Sequence, residues 1–176
     1  ISVRLTDGKK QVIIGTHDGM LVRFKEDDIR AMGRTAAGVR GIKLREGDYV
    51  VDMEILEEGQ EILVVTEKGY GKRTPESEYR LQSRGGVGIK TIQVTEKNGP
   101  MCAVKTVNGT EDVMLITING MLIRMDINDI SVIGRNTQGV RLIRLADDEL
   151  VATVAKLEKE DEADMDDSVE SEETAE

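Results

Sequence analysis

Residues Gly69–Ile92 read GYGKRTPESEYRLQSRGGVGIKTI, and the same 24-position pattern runs without a gap from Gly19 to Ile42 and from Gly120 to Ile143. Four positions past the leading glycine stand Arg23, Arg73 and Arg124; ten past it stand Ile29, Tyr79 and Ile130. Fifteen past it come Arg34, Arg84 and Arg135, and nineteen past it Gly38, Gly88 and Gly139. Val39, Ile89 and Val140 follow, then Arg40, Lys90 and Arg141, and the block closes on Ile42, Ile92 and Ile143. The leading glycines lie 50 and 51 residues apart. A fixed pattern at that period marks a repeat architecture, in which neighbouring units pack alike and core positions recur.

Working outward, the turn signals define the unit. Gln11–His17, Glu61–Thr66 and Asp112–Thr117 read as strands, each followed by a tight turn at Asp18-Gly19, Lys68-Gly69 and Asn119-Gly120. Such dipeptides between apolar runs predict hairpins with type I′ turns, which need positive φ at both central residues. The return strands are Met20–Phe24, Tyr70–Arg73 and Met121–Met125. Upstream, Ser2–Leu5, Val50–Leu56 and Met101–Val107 read as strands joined to the next by turns at Gly8, Gly59 and Gly109, so each pair is expected to be a further hairpin. Downstream of each return strand, a loop of about fifteen residues leads into Val39–Leu44, Ile89–Val94 or Val140–Leu145. Loops of that length inside a compact domain tend to be functional. Glu149–Lys156 adds one strand with no partner. The expected fold is all-β and propeller-like, built of four-stranded antiparallel blades of about 50 residues, at 1–48, 49–98 and 99–156. These form part of one domain over 1–157, and three blades are fewer than a closed ring needs.

Charge is segregated. Of the net −10, all is carried by residues 158–176, which hold 11 acids and one lysine, so the remainder is neutral. That tail lacks apolar periodicity and is expected to be disordered. The single cysteine, Cys102, excludes an internal disulfide framework and fits a reducing compartment. It lies in an apolar run and reads as a small core residue. No apolar run approaches a membrane span, and no signal peptide is visible.

Catalytic chemistry has little to work with. One His and one Cys do not make a zinc site, and no cofactor motif is present. His17 reads as an exposed turn residue, and Tyr79, whose equivalents are Ile29 and Ile130, as an apolar packing position. Gly85-Gly86-Val87-Gly88 resembles a phosphate loop but lacks the following Lys-Ser/Thr. What recurs is positive charge: Arg23, Arg73, Arg124; Arg34, Arg84, Arg135; Arg40, Lys90, Arg141. Core positions must recur, whereas surface cations have no packing reason to, so these nine are expected to form a polyanion-binding track. Duplex DNA fits best, because one set of cations per blade can neutralise successive phosphates without reading bases. Aromatics are too few (three Tyr, one Phe) for stacking on single strands. The alternative is a protein-interaction propeller with merely solvated charges.

Three segments carry a family resemblance: Val22-Arg23-Phe24 with Arg30-Ala31-Met32-Gly33, Gly69-Tyr70-Gly71-Lys72-Arg73-Thr74, and Gly134-Arg135-Asn136-Thr137-Gln138-Gly139-Val140. Together they resemble the carboxy-terminal domain of DNA gyrase A, with the paralogous domain of topoisomerase IV as second choice. The resemblance implies a six-bladed β-pinwheel, with strands exchanged between blades, that wraps duplex DNA on its basic perimeter and supports negative supercoiling. The present chain would be its later half plus an acidic tail that modulates binding. It adds Lys72 to the DNA-binding set and implies a cytoplasmic, nucleoid-associated protein. Its partners would be the amino-terminal part of the same polypeptide and the ATPase component of gyrase, with the catalytic tyrosine elsewhere. The family's box, Q-R-R-G-G-K-G, is met only in part by Gln82–Gly88: Gln82, Arg84, Gly85, Gly86 and Gly88 match, while Ser83 and Val87 replace cations.

Overall fold

The computed structural model describes residues 2–159. Its strands are β1 Gln11–Thr16, β2 Met20–Lys25, β3 Val50–Leu56, β4 Glu61–Thr66, β5 Tyr70–Pro75, β6 Ile89–Lys90, β7 Met101–Val107, β8 Glu111–Thr117, β9 Leu122–Asp126, β10 Val140–Arg141 and β11 Val151–Glu158. Helix among the described residues is confined to three 3-10 turns, Glu26–Asp28, Glu76–Glu78 and Ile127–Asp129. Strand pairing is antiparallel throughout the ladders, as expected of an all-β blade architecture.

The three sheets are ordered β3-β1-β2-β6, β10-β5-β4-β7 and β11-β8-β9. Each is centred on the hairpin of one repeat, and the first two take their outer strands from the next. β1–β2 is flanked by β3 and β6 of the second repeat, and β4–β5 by β7 and β10 of the third. The blades are therefore not confined to single repeats, and strands are exchanged between neighbours. The expected hairpins β3–β4 and β7–β8 do not form: β3 pairs with β1, β4 with β7, and β8 with β11. A glycine-bearing turn between two apolar runs looks the same in sequence whether the chain doubles back or steps to the next sheet. β11 thus has a partner after all. Ser2–Leu5 forms no strand and is held beside β3 by side chains, Ser2 Oγ donating to Met53 O and Arg4 forking onto Glu54. Val39–Leu44 also forms none. Its counterparts β6 and β10 each pair with the preceding repeat's return strand, and no earlier hairpin exists among the described residues to receive it.

The hairpin turns are tight but not type I′. The N–H of Gly19, Gly69 and Gly120 donates to the carbonyl of Thr16, Thr66 and Thr117 at 2.9, 3.0 and 3.0 Å. Only the glycine has positive φ, while Asp18, Lys68 and Asn119 do not. This is a type I turn followed by a left-handed glycine, the three-residue hairpin loop.

Apolar cores fill the spaces between successive sheets. Ile13, Leu21 and Leu56 meet Ile62, Val64 and Val104 in the first; Leu63, Val65 and Val107 meet Val113, Leu115 and Val154 in the second. The middle sheet is covered on both faces, so β4 is buried without interruption from Ile62 to Thr66, whereas β8 alternates. The acidic stretch expected from Glu158 begins inside β11, and Lys159 Nζ donates to Asp126 at 2.5 Å; residues 160–176 lie outside the described ones.

Candidate nucleic-acid interface

The second and third long loops each lie across the repeat before them. Gln82 N–H donates to Arg23 O at 2.8 Å, and Lys43 N–H to Gly86 O at 2.8 Å; one repeat later, Ile133 N–H donates to Arg73 O at 2.9 Å and Gln93 N–H to Thr137 O at 2.8 Å. The closest approach is at Gly88 and Gly139, both at positive φ, where a Cβ would stand 2.6 Å from Leu21 O and 2.8 Å from Gly71 O. Positive φ is common to Gly38, Gly88 and Gly139, and at the last two the backbones of loop and strand also meet.

The recurrent cations separate into two kinds. Arg23 and Arg73 face inward. Arg23 Nε donates to Gln11 Oε1 at 2.5 Å, its Nη1 to Glu76 O and Tyr79 O at 2.6 and 2.9 Å, and it pairs with the Glu76 carboxylate. Arg73 Nε donates to Ile130 O at 2.8 Å and Nη1 to Glu61 Oε2 at 2.8 Å. Tyr79 and Ile130 are equivalent positions, so each arginine staples its repeat to the turn of the next. Arg124 repeats the pairing along its own sheet, Nε to Asp112 at 2.7 Å, yet with no following turn to reach among the described residues its side chain is 50% exposed, against 11% and 10% for Arg23 and Arg73. The expectation that these cations have no packing reason to recur is therefore corrected.

Lys72 is fully buried, in a place held by Val22 in the first repeat, and its Nζ donates to Gly134 O and Arg135 O at 2.5 and 2.6 Å. Burial pulls its pKa down to about 8. An unfolded lysine keeps its proton to about 10.5, so between roughly pH 8 and 10.5 the unfolded chain binds the extra proton and stability rises with pH. Chemical denaturation of wild type and Lys72→Ile at pH 7.5 to 10 (roughly the window of the shift) is expected to show the wild type gaining stability relative to the variant as pH rises, the raised Cys102 thiol acting on both alike.

The second kind of cation faces outward. Arg34, Arg40, Lys90 and Arg141 are exposed; Arg84 and Arg135 are half-buried. Arg84 Nη1 donates to Arg40 O at 3.3 Å and its Nε to Asp28 O at 2.8 Å; Arg135 Nη1 donates to Lys90 O at 3.0 Å. Each junction thus brings an arginine of one loop onto the cation-bearing segment of the loop before it, Arg84 with Arg40 and Arg135 with Lys90. The partial box belongs to the first junction. There Gly85 N–H is spent on Gly41 O, and Gly86 gives only its carbonyl, to Lys43, so the loop's main use of its backbone is to dock. Lys97, missed in the sequence because its equivalents are Gly47 and Asp148, lies 5.6 Å over the Tyr70 ring.

Other reactive groups are occupied. Burial pushes the Cys102 thiol up to about 12, which removes it as a nucleophile. Tyr79 is buried with its hydroxyl 2.6 Å from Thr91 Oγ1. His17 stacks on Tyr49 at 4.5 Å. Its ligand atom, with those of Asp18 and Asp48, falls within 4.8 Å, but Asp48 Oδ1 already accepts the N–H groups of Asp18 and Tyr49.

The family model for the DNA gyrase C-terminal domain, β-propeller, matches residues 10–57, 60–99 and 111–158. The DNA gyrase A protein of Staphylococcus epidermidis is 55% identical over 164 residues, 92% of this chain and 18% of the relative. That of Staphylococcus aureus is 55% identical over 166 residues, 93% of this chain and 19% of the relative. The chain therefore spans less than a fifth of these curated relatives. Among solved structures, the C-terminal domain of DNA topoisomerase IV superposes with TM-score 0.84 at 26% identity, covering 89% of this chain and 49% of that one. The DNA gyrase A C-terminal domain superposes with TM-score 0.81 at 26% identity, covering 86% and 52%.

Proposed function

This chain belongs to the DNA gyrase C-terminal domain family, and on that premise we propose that it binds duplex DNA along the loop junctions and contributes to DNA wrapping by a gyrase. The observation that carries this reading is the pairwise gathering of outward cations, Arg40 with Arg84 and Lys90 with Arg135, by backbone carbonyls of the preceding loop. Two successive junctions offer charge at a repeating interval, and Arg141 continues the series. Such a track neutralises phosphates and releases counterions, a sequence-independent source of affinity. Bending a duplex over it costs on the order of 1–6 kcal/mol, which several phosphate contacts offset.

On this reading Arg23, Arg73 and Lys72 act indirectly, by holding the loops that carry the contacts. The chain itself does no bond chemistry; cleavage and ATP hydrolysis belong to the amino-terminal part of the polypeptide and to the ATPase component, its partners in a bacterial cytoplasm. The acidic residues from 160 onward compete with DNA for the rim as a tethered polyanion. The 55% identity to gyrase proteins favours gyrase over topoisomerase IV, although the folds of both domains superpose comparably. No helix of the described residues is long and apolar enough to cross a membrane.

Arg40→Gln, Lys90→Gln and Arg141→Gln are each expected to weaken binding to mixed-sequence duplexes roughly 5–10-fold near 0.1 M salt, alike for all sequences, and to lower the salt slope by about 0.9. Fluorescence anisotropy over a salt series measures both. Unchanged binding in all three, or losses confined to one sequence, would sink the phosphate track in favour of a protein-interaction surface.

A further inference from the structure

Only the second repeat carries tyrosines at two positions of the repeated block: Tyr70, where the others have Met20 and Met121, and Tyr79, where they have Ile29 and Ile130. Both face cations of the third loop. Tyr70 is 6% exposed and pairs across the ladder with Arg141. Its hydroxyl accepts from Arg141 Nη2 at 2.8 Å and Nε at 3.2 Å, with the guanidinium carbon 5.4 Å from the ring centroid. Tyr79 lies under Arg135, 5.9 Å from centroid to guanidinium carbon. At the first junction the matching ladder pair is Met20 with Lys90, and a thioether offers no comparable anchor for an ammonium.

We infer that Tyr70 is a positioning residue that fixes the Arg141 guanidinium for phosphate contact, so that the second junction grips DNA more firmly than the first. The inference rests on the DNA-binding reading and deepens it. One hydroxyl takes two donors of the planar fork and fixes its orientation, a geometry that arginine permits and lysine does not. Nη1 makes no hydrogen bond to protein among the described residues and stays available to a phosphate oxygen. Because the side chain is already ordered, binding loses less rotamer freedom than it would with a swinging arginine. Lys97, over the same ring, adds charge at that point.

The test uses the whole chain with Tyr70→Phe, Tyr70→Met, Arg141→Gln and the Tyr70→Phe/Arg141→Gln double variant. Met is already the residue of the other two repeats, and Phe keeps the buried ring, so both are expected to keep the fold; melting curves check this. Two readouts are taken: affinity for a labelled mixed-sequence duplex, and the Arg141 Nε–Hε resonance without DNA. Tyr70→Phe should shift and broaden that resonance and weaken binding about 2–10-fold, the range set by immobilising one long side chain, with no further loss in the Arg141→Gln background. An unchanged resonance overturns the holding itself, whatever the DNA result. A changed resonance with unchanged affinity, while Arg141→Gln binds weakly, leaves the DNA reading intact and overturns positioning. Loss of affinity that persists in the Arg141→Gln background also overturns it, since the hydroxyl would then act elsewhere. If Arg141→Gln has no effect while Arg40→Gln does, Arg141 is no contact and the inference fails alone; if no variant matters, the DNA reading fails with it.

Discussion

Gly88→Ala and Gly139→Ala are expected to destabilise the chain by about 3–5 kcal/mol each, and Gly38→Ala by only about 1–2. All three glycines occupy one repeat position at positive φ, 74°, 76° and 80°. An alanine there carries the left-handed penalty in every case. What differs is the neighbour. At Gly88 the added Cβ would meet Leu21 O at 2.6 Å, and at Gly139 it would meet Gly71 O at 2.8 Å, whereas around Gly38 nothing lies within 4 Å. A carbonyl in a sheet ladder cannot swing aside as a side-chain tip can, so the loop must lift off the preceding repeat. Urea unfolding of the three variants measures the contrast; equal losses would mean that the seam is softer than its geometry.

Arg73→Ala should cost about 3 kcal/mol and Arg124→Ala less than about 1, although both remove the same residue from the same repeat position. Truncating Arg73 leaves Ile130 O without its guanidinium donor and the Glu61 carboxylate without its counter-charge inside a covered junction. Arg124 gives up one pairing with Asp112 at a half-exposed site. Arg23→Ala is expected to follow Arg73, because it serves the Tyr79 and Glu76 carbonyls in the same way. Arg73→Lys should rescue little, since a single ammonium cannot reach the carbonyl and the carboxylate in the planar fork's arrangement. Denaturant melts read these values directly. A cost for Arg124→Ala matching that of Arg73→Ala would refute the staple.

The central hairpins were legible because their signals are local. A Thr-x-x-Gly turn between Val/Ile-rich runs needs nothing from the rest of the chain. The destination of β3, β7 and β11 was not local: Val50–Leu56 carries the same apolar pattern whichever sheet receives it, and only pairing with β1 shows the exchange. Cations were found but not sorted. An arginine in sequence is silent about its donors, so Arg23, solvated or stapling, reads the same as Arg40. The spacing separates them: Arg23, Arg73 and Arg124 each follow an acceptor-bearing residue, Gln11, Glu61 and Asp112, by twelve positions, which is the diagonal of a hairpin. Tyr70 and the burial of Lys72, which was counted among the DNA-binding cations, escaped for the opposite reason. They break the repeat, and a search for what recurs passes over what stands alone.

The borrowing of outer strands from the following repeat also has a consequence in time. A hairpin such as β1–β2 can pair with itself as soon as it emerges from the ribosome, yet its sheet has no outer strands until β3 and β6 arrive, the latter ending at Lys90. At a synthesis rate of roughly 5–20 residues per second, a lag of some 65 residues leaves the β2 edge of the nascent hairpin open for about 3–13 s, and the β1 edge, covered by β3 once Leu56 is made, waits about half as long. Unpaired edges are templates for wrong partners, and in a repeat array the nearest wrong partner is a sister hairpin of almost the same shape. The turn and seam glycines cannot make that choice, because they recur at the same position in every repeat. Order of synthesis, rather than the strength of any one contact, then selects which strand reaches which edge first.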